Sequence, residues 1–295
     1  MLALVLLLLI SGATQAQDLE PRRWAHLPTG MNFISIGATY VEGDIFLDPV
    51  LRAVDVKFER TGVGLGYVRS IGLFGKTARF DVRLPYAKGR WEGTVDGEFL
   101  STRRRGSGDP RLRFSYLLYG APAQSLQEFS KSAKSSTIVG AAVALTLPTG
   151  HYLEDKLMNL GANRWVVRPQ IGVTHTRRNW AFEASGSVFF FGENDEFWNN
   201  SKLVNDELYA LQAHAIYTFK PGLWTSISTA YGWGWNPKIN GEEVNNPRGK
   251  WMTALSLGIP LSRTQGIKLS WVRARSQEDT GADFDSLMVG WSIMF

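Results

Sequence analysis

Apolar and polar side chains alternate with period two in short stretches along nearly the whole chain, and few folds accept that pattern. From Asn32 to Tyr40, Ile34, Ile36, Ala38 and Tyr40 interleave with Phe33, Ser35, Gly37 and Thr39. Between Ala78 and Tyr86, Phe80, Val82 and Leu84 interleave with Arg79, Asp81 and Arg83. Leu112, Phe114, Tyr116 and Leu118 oppose Arg111, Arg113 and Ser115, and Val139, Ala141, Val143 and Leu145 form another apolar row. The pattern returns in 165–173, 180–190, 209–219, 224–235, 251–259 and 267–271. Successive strand side chains point to opposite faces, so each stretch is a strand with one apolar face.

A β-sandwich in water alternates in the same way, and three further features separate the two architectures. The stretches fit the roughly 9–11 residues that a tilted strand needs to cross lipid. Tryptophans gather at their ends, namely Trp91, Trp165, Trp180, Trp224, Trp235 and Trp251, where amphipathic rings settle at headgroup level and form girdles. The last stretch places Leu287, Val289, Trp291, Ile293 and Phe295 on one face with nothing after it. Pairing that strand with the first one removes an exposed edge. A final Phe295 also resembles the signal that outer-membrane barrels present to the barrel assembly machinery. The expectation is an all-β fold over residues 31–295, a transmembrane antiparallel β-barrel of about twelve strands in the bacterial outer membrane.

The connections alternate as such a barrel requires. Short turns fall at 71–76, 177–179, 220–223 and 261–266, and long links at 42–54, 87–108, 151–163, 192–206 and 236–249. Short turns belong to the periplasm and long loops to the exterior. One link, 121–135, is long where a short turn is expected. It is either an ordered periplasmic segment or a miscount.

Met1 to Ile10 is almost wholly Leu, Val and Ala, and Ser11-Gly12-Ala13-Thr14-Gln15-Ala16 follows. That is the apolar region and small-residue cleavage site of a secretory signal peptide, here assigned to residues 1–16, although no Lys or Arg precedes the run. Residues 17–30 then form a periplasmic segment leading into the barrel. With no cysteine, an exported chain has no disulfide framework to lean on. The net charge of +5 is spread along the chain rather than clustered, which excludes a nucleic-acid partner; membrane lipid and a small solute are the expected partners.

Ionised residues in the alternation must face the barrel interior, because a mid-plane Arg or Lys facing lipid costs about 2–4 kcal/mol. The expected lumen therefore carries Arg79, Asp81, Arg83, Arg111 and Arg113, with Arg168, Glu183, Gln212, His214, Lys268 and Ser270 elsewhere on the wall. Two readings stay open, a basic track that attracts anions and a self-satisfied network that fills a narrow barrel.

Other motifs carry less. Gly62-Val63-Gly64-Leu65-Gly66 lacks the following helix of a dinucleotide loop, and Gly106-Ser107-Gly108-Asp109-Pro110 lacks the Lys-Ser/Thr of a phosphate loop. His26, His151 and His175 are too scattered for zinc, and Glu193-Asn194-Asp195-Glu196 matches no full calcium-loop spacing. No cofactor or metal is expected. Ser185, Glu183 and His214 come near one another in the simplest register, which keeps a barrel-borne envelope hydrolase as an alternative. No nucleophile motif surrounds Ser185, and the reading is of a non-enzyme. A structural or adhesive barrel with a blocked lumen is the other alternative.

The segments Gly-Ser-Gly-Asp-Pro-Arg-Leu-Arg (106–113), Leu-Thr-Leu-Pro-Thr-Gly (145–150) and Asn-Leu-Gly-Ala-Asn-Arg-Trp (159–165), with the aromatic-ended last strand, mark a resemblance. The chain resembles proteobacterial outer-membrane proteins named for a MetA pathway of phenol degradation. The resemblance implies uptake of aromatic or other small organic compounds and supplies no catalytic residues. Ionised aromatic acids would suit both that implication and the arginines.

Overall fold

The structure, a computed structural model, describes residues 19–46, 53–95, 97–132, 136–156, 158–198, 200–243, 249–277 and 281–295. The signal peptide expected at 1–16 lies outside the described residues.

The wall contains β1 (Asn32–Phe46), β2 (Ala53–Leu73), β3 (Lys76–Val95), β5 (Arg111–Tyr119), β6 (Thr137–Thr146), β7 (Val166–Arg177), β8 (Trp180–Phe191), β11 (Leu208–Lys220), β12 (Leu223–Gly234), β15 (Lys250–Pro260), β16 (Gln265–Ser276) and β17 (Gly281–Met294). Each pairs antiparallel with its neighbours, in the order β2-β1-β17-β16-β15-β12-β11-β8-β7-β6-β5-β3, and β2–β3 pairing closes the ring of twelve. The last strand joins the first in unbroken register from Phe33↔Met294 to Phe46↔Gly281. Closure leaves the wall without an edge, which suits lipid because every backbone donor and acceptor is met inside the sheet.

The alternation reads out as two faces. Ile36, Leu65, Leu84, Val143, Ile171, Leu211, Ile227, Leu255 and Leu287 are exposed on the outside, Ile227 at 63%. The alternate positions of the wall strands include buried Asp81, Arg113, Arg168, Glu183, His214, Ser226 and Ser270. An apolar belt of this extent on an outer surface is satisfied by lipid, and the polar face turns inward.

Short turns join β2–β3, β7–β8, β11–β12 and β15–β16 at one end, the periplasmic one. The irregular link keeps the strand count intact, because it is an ordered periplasmic segment. It carries α1 (Leu126–Lys131), started by a capping box between Ser125 and Glu128. Its first residues bond the β2–β3 turn, Ala123 N–H donating to Gly75 O at 3.0 Å.

At the other end the strands overrun the membrane. β2 and β3 have 21 and 20 residues, about twice what a bilayer needs. The region 87–108, expected as a loop, is instead a hairpin: β3 continues to Val95 and pairs with β4 (Glu98–Ser107) from Tyr86↔Ser107 to Val95↔Glu98. β4 and β5 occupy one position of the wall in succession, both alongside β3. The outer links also build a small sheet of β9 (Asn194–Phe197), β10 (Ser201–Asn205), β13 (Pro237–Ile239) and β14 (Glu242–Glu243). Phe197, Leu203 and Ile239 pack together beneath it.

Candidate functional site

The lumen is the site, and the chain's own N-terminal segment occupies it. Residues 17–30 were expected in the periplasm; of their described part, Thr29 and Gly30 lie at the periplasmic mouth, and the residues before them, back to Leu19, lie inside the barrel. At the mouth, Gly30 N–H donates to Ser70 O at 2.9 Å and Thr29 N–H to Gln124 O at 2.7 Å. His26 lies edge-on to Phe129 of α1, with ring centroids 4.9 Å apart. Deeper in, the Trp24 indole is 2% exposed and packs with Leu117, Ile138 and Ala142. It fits only because β6 and β7 present bare backbone there: a Cβ on Gly140 would stand 2.6 Å from the ring, and one on Gly172 2.1 Å. Leu19 ends among Ile45, Val56, Phe58, Met252 and Phe284, an apolar layer across the extracellular half of the lumen.

Charge fixes the segment between these contacts. The Glu20 carboxylate meets Arg23 at 3.2 Å, Arg113 at 3.8 Å, and Arg83. Arg23 bonds Asp81 at 3.1 Å, and Arg79 bonds the same carboxylate at 3.3 Å. Arg22 N–H donates to Glu183 Oε2 at 2.8 Å, while its guanidinium lies over Trp224, 5.4 Å from the ring centroid. The Arg113 guanidinium is 5.5 Å from the Trp24 centroid. A cavity of about 10 Å³ remains among Glu20, Trp24, Arg113, Gln170, Ser185 and His214, room for about one water molecule.

The inward residues expected from alternation come together on the wall. Register sets Asp81 opposite Arg113, Arg83 opposite Arg111 and Arg79 opposite Ser115. Arg168 donates to Ser187 Oγ at 3.1 Å and stacks on Phe189 at 4.3 Å. Gln212 stands across from Ser185 and His214 across from Glu183. Lys268 shares the inward row of Ser270, whose hydroxyl meets Ser256 Oγ at 2.9 Å. Charge is thus concentrated on β3, β5, β7 and β8, whereas Ser226, Ser228, Ser256 and Ser270 line the opposite arc.

The hydrolase alternative would need His214 to act as base on Ser185. His214 Nδ1 lies 2.8 Å from Ser228 Oγ, on the strand away from Ser185. Glu183, which would have to orient that imidazole, accepts from Arg22 instead. Glu193 and Asp195 both pair with Lys202, and no group of side chains suited to a metal ion occurs among the described residues.

The aromatic positions divide. Trp180, Trp165 and Trp251 are exposed on the outer face. Trp180 joins Phe182 and Tyr217 near the periplasmic end, and Trp251 contacts Tyr231, which stacks with Trp233 near the other. Three girdle assignments are corrected. Trp91 turns inward over Gly89 toward the apolar layer, Trp224 lies inside against Gly258, and Trp235 is buried with Phe189, Leu208 and Ala210. A one-residue offset exchanges the faces of a strand, so position at a segment's end did not settle the side.

Above the lumen, the three quoted motif segments converge on Asp109. Its carboxylate accepts Gly150 N–H at 2.9 Å and Ala162 N–H at 2.7 Å. Burial raises its pKa above the ordinary aspartate value, and those two donors pull the other way. Arg164, pushed down to about 10 by burial, bonds Asn205 and stacks on Phe191 at 4.8 Å. These residues tie the outer links together. A groove of about 340 Å³ on the outside of the projecting strands is lined by Glu42, Asp44, Glu59, Glu92, Asp283 and Asp285 with Lys57, Arg90 and Arg275.

Sequence reasoning missed Glu20, Arg22, Arg23 and Trp24. Their signal was present, three charges and an indole within five residues next to the expected cleavage site, but such a cluster also suits a solvated tail.

A closed twelve-stranded wall with an apolar exterior and a charged, filled interior defines an outer-membrane β-barrel. The chain belongs to the family described as "Putative MetA-pathway of phenol degradation", whose model matches residues 46–281. It is similar to the COG4313 outer membrane channel from Pseudomonas putida F1, with 22% identity over 94% of this chain and 100% of that one and a TM-score of 0.75. The transport unit of the autotransporter AIDA-I from Escherichia coli has a TM-score of 0.52 at 10% identity, covering 100% of this chain and 97% of that one. The beta domain of the Bordetella autotransporter Brka has a TM-score of 0.51 at 10% identity, covering 89% and 99%. No curated protein matches the sequence.

Proposed function

We propose that the barrel is a channel for small solutes across the outer membrane, biased toward anions and closed at rest by its N-terminal segment. The observation that carries this reading is the ion-paired segment inside a basic wall. A barrel meant only as a solid post has no need of a removable occupant, and this one is held by groups that water and solute can replace. Arg79, Arg83, Arg111 and Arg113 outnumber Asp81 on β3 and β5, and an arc of one sign inside low-dielectric walls raises the local concentration of opposite charge. The Pseudomonas putida relative, itself an outer membrane channel, agrees with a transport role. No step of bond-making chemistry enters this reading.

The N-terminal residues act as the gate, Trp165, Trp180 and Trp251 as interfacial anchors, and the exposed Phe295 as the mark read by the barrel assembly machinery. A second reading has one observation in its favour: the lumen is filled, so a permanently blocked barrel could serve only to display its ordered outer links. Planar-bilayer recording separates the two. The Glu20→Gln/Arg23→Gln variant, shown folded by protease resistance, opens more often than the parent chain if the segment is a gate. Silence from both proteins would favour the blocked barrel.

A further inference from the structure

We propose that withdrawal of the segment uncovers a binding site for an aromatic carboxylate, the chemistry that Glu20 and Trp24 mimic in place. The proposal rests on the channel reading and names the solute class of the same lumen. Two features of the segment fill two features of the wall. The Glu20 carboxylate sits between Arg83 and Arg113, the latter at 3.8 Å. The Trp24 ring fills a slot floored by Gly140 and Gly172 and flanked by Leu117, Ile138 and Ala142. One group, the Arg113 guanidinium, touches both halves, because it also lies 5.5 Å from the indole centroid. Glu20, Trp24 and Arg113 also line one and the same small cavity, so the carboxylate and the ring mark two parts of a single site.

The wall keeps these features when the segment leaves. Arg23 departs with Glu20 and Asp81 retains its bond to Arg79, while Arg113 and Arg83 remain on the wall where the Glu20 carboxylate stood. Arg113 Nη2 is already buried with no hydrogen-bond partner, a donor that a second carboxylate oxygen would satisfy. The slot is apolar and narrow, and with no Cβ on either glycine it takes a planar ring face-on. Aliphatic acids fill only the cationic half, and neutral phenols fill only the slot.

The test uses the full-length protein carrying Glu20→Gln/Trp24→Ala, folded in lipid, with benzoate, phenol and acetate as probes. Calorimetry measures binding and planar-bilayer recording measures block of the current. Benzoate is expected to bind roughly tenfold or more tightly than either phenol or acetate, the scale of one hydrogen-bonded charge or one buried ring. Adding Gly172→Val should lower benzoate to the level of acetate, and adding Arg113→Met should lower it to the level of phenol. Arg83→Gln, on a half-exposed side chain, supplies a second carboxylate-side variant if Arg113→Met does not fold. Equal binding of the three probes, or benzoate binding indifferent to these changes, overturns the site. Benzoate binding without any current sustains the site and removes the channel; current without discrimination does the reverse.

Discussion

Asp81 carries the attachment of the segment to the wall, since it accepts from Arg23 and from Arg79 while only 4% exposed. Removing one partner of a buried pair is costly because the other charge stays behind, on the order of 3–5 kcal/mol. Asp81→Asn is therefore expected to loosen the segment, read as faster proteolysis of residues 19–30 from the periplasmic side in oriented vesicles, while the wall stays resistant. Unchanged protection would mean that Trp24 and Glu20 hold the segment alone. Among single residues, alternation made the inward Arg79, Asp81, Arg113 and His214 readable, because lipid forbids their charge on the other face. It could not reveal Glu20 or Trp24, which lie in a segment with no period at all. Nor could it place Trp91 and Trp224, whose rings suit an interface and an apolar interior equally.

Strands and links show the same division. Those parts of the strands that cross lipid were legible; the hairpin of β3 and β4 was not. Above the membrane β4 is largely exposed on both faces, and the consecutive Arg103, Arg104 and Arg105 erase the binary pattern that marks a strand. The lipid-facing reading of β12 is tested by Ile227→Arg, expected to cost about 2–4 kcal/mol in folding into vesicles if the site is near the mid-plane. Ser228→Ala, one residue along and facing inward, should cost clearly less; equal costs would contradict the assigned faces. The periplasmic link supplies a pH effect. Ser125 donates to Glu128 from its backbone and its hydroxyl, both at 2.8 Å, and holds that carboxyl below the ordinary glutamate value. A depressed carboxylate stabilises the fold above its unfolded pKa, and that support fades as pH falls through the folded value. Protection of the Ser125 amide, relative to its unstructured exchange rate at the same pH, is thus expected to be high at neutral pH and to fall below about pH 4.5, the unperturbed value. Protection that stays constant across that range would remove the capping box from the account.

At the scale of the molecule, a closed wall solves the backbone problem that lipid poses, and the lumen then becomes the one place where charge can be kept. The segment turns that lumen from a hole into a closed passage: its carboxylate, indole and leucine each meet a wall feature of matching chemistry at successive depths. Whether the wall is a basic path rather than a filled core is the central claim. The direct measurement is the reversal potential of the Glu20→Gln/Arg23→Gln protein in a planar bilayer under a salt gradient, alone and with Arg83, Arg111 and Arg113 changed to Gln. The account predicts a potential displaced toward the anion equilibrium value that moves back toward zero when those three arginines are neutral. A conductance that prefers cations, or an anion preference untouched by their loss, would contradict it.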